Sequence, residues 1–259
     1  MVKLFNRNNM AISFLNTTGT GKLTMSNNTG IGKLNLSINS VLVTAGLLFN
    51  LDMQNWTTGN VWPDSSGNNN DFTFYQNPNI TTYGKVSNIG TSTAYWYSPG
   101  NNGAVAASAI FPANTDYSKG AVIYLTTANI NNIIGATSQE TFWGSGSPTL
   151  QAGNNNGDGY SVVTSNITLS SGTWYYVSMT FSGTTGWVLY INGVAHGTSV
   201  STTNRASTST PQIFSYSGNS NNSVGKIAVA HTYTRALTAA EHLQNYNYFS
   251  TRYNGSIPS

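Results

Sequence analysis

The segment that decides the fold is WYYVSMTF, residues 174–181. Its odd-numbered positions are all apolar or aromatic, whereas Ser178 and Thr180 fall on the opposite face of an extended chain. Alternation with a period of two predicts a β-strand with one buried face. The side chains predicted to point inward are Tyr175, Val177, Met179 and Phe181.

A hairpin follows this strand. The segment GWVLYI at 186–191 runs into Asn192-Gly193, and Val194 begins a second extended segment. Asn-Gly is the pair best suited to positive φ at both central residues of a type I′ turn. The sequence therefore predicts two adjacent antiparallel strands joined at Asn192-Gly193.

Further strand patterns, bounded by Gly, Asn and Ser clusters, predict an all-β, two-sheet antiparallel sandwich. They lie near 41–51, 71–76, 104–111, 119–127, 140–144, 159–164, 173–182, 186–192, 194–200, 211–216 and 224–234. One short C-terminal helix is expected from Thr238 to about Phe249, since Thr238 and Glu241 have the spacing of a capping box. Leu243 and Tyr246, with Phe249 or Asn247 continuing the three- and four-residue spacing, are expected to face the sandwich.

Residues 1–43 are predicted to form an N-terminal β arm, and residues 44–259 are predicted to form the sandwich domain. An eleven-residue near-repeat in the arm predicts two short strands joined at Asn27-Asn28. This pair is either a docking segment for an assembly partner or the outer strand pair of the sandwich. The candidate assembly residues are Lys22, Leu23, Met25, Lys33, Leu34 and Leu36.

Three segments together resemble the laminin-G-like jelly-roll branch of the concanavalin A-like lectin/glucanase superfamily. They are the entry at 46–52 with the Trp62-Pro63-Asp64-Ser65-Ser66-Gly67-Asn68 turn, the strand and hairpin at 172–193, and the close at 225–241. The resemblance spans roughly 44–253. The resemblance implies a jelly-roll sandwich. Among the branch's members, those with this opening turn, an Asn/Thr/Gly-rich composition and a short N-terminal arm resemble bacteriophage virion proteins, so the resemblance implies a virion context.

Only 7% of the residues are charged, 39% are apolar and 12% are aromatic. Weak self-repulsion favours either a component of a fixed particle or a secreted binding module with an uncharged surface. The N-terminus has no apolar run of signal-peptide length. Together with the repeated arm and the family resemblance, these features lead us to expect a virion structural protein (head decoration, fibre, spike or tail component), made in the host cytoplasm and displayed on the particle surface. The alternative is a module that binds host cell-surface glycans.

The expected partners are other virion proteins contacted through the arm, further copies of the chain in the assembly, and surface glycans. The ten Lys and Arg residues are scattered, so a nucleic-acid-binding patch is not expected. No segment has the length and apolarity of a membrane span. Since no paired-carboxylate Glu-x-Asp-x-x-Glu pattern is present, we expect no enzymatic activity and no catalytic residue.

Aromatic side chains beside amides are typical of saccharide sites, which makes Trp96, Trp143 and Tyr160 candidate ligand-binding residues; the alternative is that they belong to the core. The segment at 153–159 places oxygen-bearing side chains at alternate positions, like the start of a calcium loop. Its candidate ligands are Asn154, Asn156 and Asp158. Ser165 stands where the bidentate Glu would be, so a flexible turn without a cofactor is preferred.

Overall fold

The structure is a computed structural model that describes residues 3–5, 11–13, 41–78, 84–126, 132–136, 140–144, 149–154, 162–204 and 207–253. The chain forms two compact units, Met1–Leu42 and Val43–Ser259. In the first unit, β1 (Lys3–Phe5) pairs antiparallel with β2 (Ala11–Ser13). The near-repeat, with its six candidate assembly residues and the Asn27-Asn28 turn, lies outside the described residues.

The second unit is built from strands and one α-helix. Its strands are β3 (Leu47–Asp52), β4 (Val61–Trp62), β5 (Phe72–Phe74), β6 (Lys85–Ser87), β7 (Tyr95–Pro99), β8 (Ala104–Ala106), β9 (Tyr117–Leu125), β10 (Ile134–Ala136), β11 (Glu140–Gly144), β12 (Leu150–Asn154), β13 (Val163–Thr164), β14 (Trp174–Ser182), β15 (Gly186–Ile191), β16 (Val194–Ser199), β17 (Pro211–Ile213) and β18 (Val224–Tyr233). Helix α1 is Ala239–Arg252, and Met53–Asn55 forms a single 3₁₀ turn.

The described strands of the second unit form two large antiparallel sheets and one smaller sheet. The larger has the order β16-β15-β14-β9-β18-β7-β6, with β3 also paired to β18. The other large sheet has the order β10-β17-β8-β5-β4, and β11-β12-β13 form the smaller sheet. The predicted all-β sandwich with one C-terminal helix is confirmed.

The core lies between the sheets and is rich in aromatic rings. Trp62 of β4 stacks on Phe74 of β5 at 5.6 Å between ring centroids. Phe74 in turn meets the edge of Trp96, from β7 of the larger sheet, at 4.9 Å. Rings of this size each bury a large apolar area, so these contacts across the sandwich are a main source of its stability.

The alternation predicted for β14 is confirmed. Val177, Met179 and Phe181 are buried in the core, and Tyr175 packs against it from a partly buried position. Ser178 and Thr180 occupy the opposite, outer face, where α1 covers them. A strand that is buried on both faces reflects a helix placed on the outside of the sheet.

The capping box is also confirmed. The Thr238 hydroxyl accepts a hydrogen bond from the Glu241 amide at 3.3 Å, and the Glu241 carboxylate accepts one from the Thr238 amide at 2.8 Å. The predicted buried face of α1 is wrong at Leu243, which is 44% exposed. The buried residues are His242, Asn245, Tyr246 and Phe249. Because the sheet presents hydroxyl groups here, polar helix residues fill the contact and apolar periodicity alone misplaces it.

The turn between β15 and β16 has φ of 50° at Asn192 and 79° at Gly193, which confirms the predicted type I′ geometry. A Cβ atom added at Gly193 would lie 3.0 Å from the Cα atom of Leu243 in α1. Gly218 has a similar φ of 82°, but a Cβ atom there meets nothing within 4 Å. Substitutions at the two glycines therefore distinguish the cost of a positive φ from the cost of a clash with the helix.

We expect Gly193→Ala to lower the free energy of unfolding by about 1–3 kcal/mol. Gly218→Ala is the matched control, because it carries the strain of positive φ without a clash. Urea denaturation of both variants measures the difference. Equal losses in the two variants would show that the hairpin does not press against α1.

Candidate functional site

The predicted saccharide residues do not come together in the described structure. Trp96 is fully buried, with its ring centroid 5.7 Å from that of Phe214 and 6.5 Å from that of Trp62. It therefore takes the core role that the sequence left open, and its ring does not reach a surface ligand. Trp143 lies on β11 opposite Gln151, but its side chain and all of Tyr160 fall outside the described residues.

Of the predicted calcium ligands, only Asn154 is described. Its Oδ1 accepts a hydrogen bond from the Tyr117 hydroxyl at 2.7 Å, and its amide donates to the Thr203 carbonyl at 3.0 Å. The side chain is buried and joins β12 to β9 and to the loop at Thr203. Asn156 and Asp158 lie outside the described residues, and within those residues no three His, Asp or Glu side chains gather as a metal site.

Several described carboxylates hold local structure. Asp64 accepts hydrogen bonds from the amides of Asn50 at 2.8 Å, Ser66 at 2.8 Å and Asn70 at 2.9 Å, so it closes the turn after β4. The other described pairings are Asp71 with the Asp64 amide, Asp116 with the Gly183 amide, Asp52 with Arg252, and Glu241 with Arg235. The side chain of Glu140 is outside the described residues.

A buried histidine cluster, comprising Tyr176, Ser178, Thr180, His231 and His242, lies between α1 and the larger sheet. Its hydrogen-bonded pairs are Ser178 Oγ with His242 Nδ1 at 2.9 Å, Thr180 Oγ1 with His242 Nε2 at 2.7 Å, and Tyr176 Oη with His231 Nε2 at 3.0 Å. Contacts between hydroxyl and imidazole groups also activate nucleophiles in enzymes. Here all five side chains are buried beneath the helix, and the cluster fastens α1 to the sheet.

Burial sets the charge of this cluster. Desolvation lowers the pKa of His231 to about 3. Desolvation also lowers the pKa of His242 to about 3, with a further contribution from nearby His231. Burial raises the pKa of Tyr176 well above its usual range. All three groups are therefore uncharged at neutral pH.

The outer face of the larger sheet also carries a row of side chains beyond the end of α1. We call it the aromatic row. Cross-strand pairing aligns Lys85 with Tyr97, Tyr97 with Lys226, Lys226 with Tyr124, and Tyr124 with Trp174, from β6 through β7, β18 and β9 to β14. Paired residues share a face, so the row crosses five strands, roughly 19 Å.

Several members of this face are in contact with one another. The Trp174 ring lies 5.4 Å from Tyr124 and 5.8 Å from Tyr95, which points outward two residues before Tyr97. The Lys226 ammonium lies over the rings of Tyr95 at 4.7 Å and Tyr124 at 4.5 Å. The aromatic members and Lys226 are partly exposed, and Lys85 is exposed.

Flat rings, phenolic hydroxyls and ammonium groups on one exposed face provide both stacking surfaces and hydrogen-bond donors for a ligand. Sequence reasoning missed this row because no strand was predicted over 95–99. The signal was present in Tyr95-Trp96-Tyr97. In a strand, Trp96 points inward and the two tyrosines point outward.

The fold of the sandwich is shared with known proteins. The laminin-G family model of the concanavalin A-like lectin/glucanases superfamily matches residues 63–241. The chain belongs to this family. A search of curated proteins finds no match.

Solved structures with the same fold include binding domains and enzymes. Domain 4 of AbnA, a GH43 extracellular arabinanase from Geobacillus stearothermophilus in complex with arabinotriose, has a TM-score of 0.59 at 17% identity, covering 78% of this chain and 98% of that one. The binding domain of Paraclostridial Mosquitocidal Protein 1 has a TM-score of 0.59 at 17% identity, covering 78% and 52%. Trypanosoma rangeli sialidase has a TM-score of 0.57 at 15% identity, covering 81% and 35%.

The laminin-G-like chain therefore spans about a third of the sialidase and half of the mosquitocidal binding domain. At these identities the likeness shows the fold alone. The expectation of no enzymatic activity is nevertheless wrong as it was drawn, because the fold recurs in a GH43 arabinanase domain and in sialidases. The absence of one family's strand motif does not decide the activity of a superfamily member.

Within the described residues, no helix combines the length and apolarity needed to span a membrane.

The buried histidines predict acid sensitivity. Their folded pKa of about 3 lies below the ordinary value of 6.5, so the unfolded chain takes up protons first as the pH falls. Between pH 6.5 and 4.5 each histidine should cost on the order of 1.4 kcal/mol of stability per pH unit. The pKa of Glu241 is lowered to about 2, chiefly by Arg235, so its stabilising contribution is lost mainly as the pH falls below about 4.5.

Urea denaturation from pH 7 to 4.5 measures this slope, and NMR of the imidazole rings reports their charge directly. His231→Gln and His242→Gln should each flatten the slope. Leu243→Ala on the same helix removes no titrating group, so it should shift the curve equally at every pH. Imidazole rings that become charged in the folded protein near pH 6 would contradict the prediction.

Proposed function

We propose that this laminin-G-like sandwich binds saccharides through the aromatic row and is displayed on the surface of a virion. The observation that carries the first part is the alignment of Tyr97, Lys226, Tyr124 and Trp174 across neighbouring strands. The aromatic faces of Tyr and Trp stack on the apolar faces of sugars, and the hydroxyl and ammonium groups between them bind sugar oxygens.

The geometry of the row favours an extended ligand. Its members are fixed by the hydrogen-bond ladder of the sheet, and Trp174 also stacks on Tyr253 near the C-terminus of α1 at 6.5 Å, with an interplanar angle of 9°. A preformed surface loses little conformational entropy on binding. One structural neighbour is a domain solved with arabinotriose, which supports a saccharide as the ligand class.

Display on a virion is supported by composition and chain organisation. With 7% charged residues, the chain has little self-repulsion to keep it apart from neighbours, as suits a component of a fixed assembly. The N-terminal unit Met1–Leu42 is compact by itself and supplies a short antiparallel strand pair. Such a pair is marginal in isolation, and we propose that it docks on another virion protein.

We expect Trp174→Ala and Tyr97→Ala each to weaken saccharide binding by about 1–2 kcal/mol, roughly five- to thirtyfold in Kd, through loss of the stacking surface. A glycan array identifies ligands, and calorimetry with the full chain measures Kd. Tyr75→Ala is the matched control, because this partly buried tyrosine follows β5 in the other large sheet. If both row variants keep the original melting temperature and bind saccharide with unchanged affinity, the assignment of the row is overturned.

Deletion of residues 1–40 should abolish incorporation into particles and leave the sandwich folded. The sandwich is tied from Val43 onward, because the Val43 amide donates to Asn245 Oδ1 at 2.9 Å and the Val43 carbonyl accepts from the Tyr233 hydroxyl at 2.9 Å. A deletion of 1–46, which removes these bonds, should lower the melting temperature as well. Normal incorporation of the 1–40 deletion would refute docking through the arm.

A further inference from the structure

The aromatic row carries two cations and none of the carboxylates that the structure describes. Lys85 and Lys226 lie on the same face because both align with Tyr97, one on each side of β7. Two strand spacings separate them, roughly 10 Å. Among the described residues, neither ammonium group forms a hydrogen bond or an ion pair, so both have donors to offer a ligand.

Two aromatic rings hold the Lys226 ammonium group in position. Its ammonium lies over the rings of Tyr95 and Tyr124, at 4.7 and 4.5 Å from the two centroids. The electron-rich ring faces stabilise the cation but accept none of its N–H groups as a carboxylate would. A cation that lies against aromatic rings and is partly shielded from water attracts an anion more strongly than a lysine surrounded by water does.

A third cation at the end of the row is already paired. Arg252, beside Tyr253 at the end of the row, forms an ion pair with Asp52 and donates to the Ser92 carbonyl at 3.0 Å. It therefore adds no net charge at that end. The positive charge of the row comes from Lys226 and Lys85, one in the middle and one at the opposite end.

We infer that the ligand of the aromatic row is an acidic saccharide whose carboxylates bind Lys226 and Lys85 while its sugar rings stack on Trp174, Tyr124 and Tyr97. This inference rests on the proposed saccharide-binding function and narrows it to one ligand class. Sulfated polysaccharides are less suited, because their charge density matches larger basic clusters than a row with two cations.

The test uses the full chain and an array of neutral, carboxylated and sulfated glycans. Each ligand found is then compared by calorimetry with its carboxyl-reduced form, in which the carboxylate is replaced by an alcohol. Lys226→Gln should weaken binding of the acidic ligand by about tenfold or more, the effect of one hydrogen bond to a charged group. It should leave binding of the reduced form unchanged, and Lys226→Arg should retain most of the affinity for the acidic ligand.

Lys85→Gln should also weaken binding of the acidic ligand, by a smaller factor because the Lys85 ammonium is exposed. Ligands that bind equally well after carboxyl reduction, and still depend on Trp174, would overturn the charge inference and leave saccharide binding intact. Hits restricted to sulfated glycans would overturn the carboxylate assignment. An array without any hit would overturn both this inference and the proposed function.

Discussion

The register of β9, β14 and β18 is the constraint on which the rest of the structure depends. Side chains of a strand alternate between faces, so a slip of one residue would exchange the buried and exposed sets. In the observed register Met179 of β14 enters the core, and its neighbour Ser178 meets α1. The same register aligns Tyr124 with Trp174 and Lys226. Core closure, helix attachment and the aromatic row therefore follow from one set of backbone pairings.

A β-bulge in β18 makes the outer face continuous. Lys226 and His231 are five residues apart, which in a regular strand would place them on opposite faces. The pairing with β9 shifts between Ile227 and Val229, so Lys226 lies opposite Tyr124 and His231 lies opposite Gly120. Both therefore face outward, His231 beneath α1 and Lys226 in the aromatic row. Bulges commonly re-aim side chains beside functional sites, and this one serves two neighbouring regions of a single face.

Strong local signals in the sequence were sufficient for much of the fold. The alternation at 174–181, the Asn192-Gly193 turn and the Thr238–Glu241 capping box each involve neighbouring residues, and each prediction is confirmed. The short strands β4, β6, β7, β10 and β12 were not predicted, because brief extended segments among Gly, Asn and Ser have little pattern of their own and are held by pairing with other strands. Without β7, no face could be assigned to Trp96, and a core residue was taken as a candidate for ligand binding.

The candidate site was harder to predict than the fold because its members are brought together only by sheet register. Lys85 and Trp174 are far apart in sequence, and the bulge in β18 defeats a simple count of alternate positions. The likeness to an arabinanase domain, to a sialidase and to the binding domain of a mosquitocidal protein does not supply the missing information, since one sandwich fold hosts many functions. The candidate site of this chain is made by side chains on strand positions. Because strands are held by their neighbours, the backbone positions of the row are set before any ligand arrives, and a ligand bound there need not offset the entropy of arranging a loop.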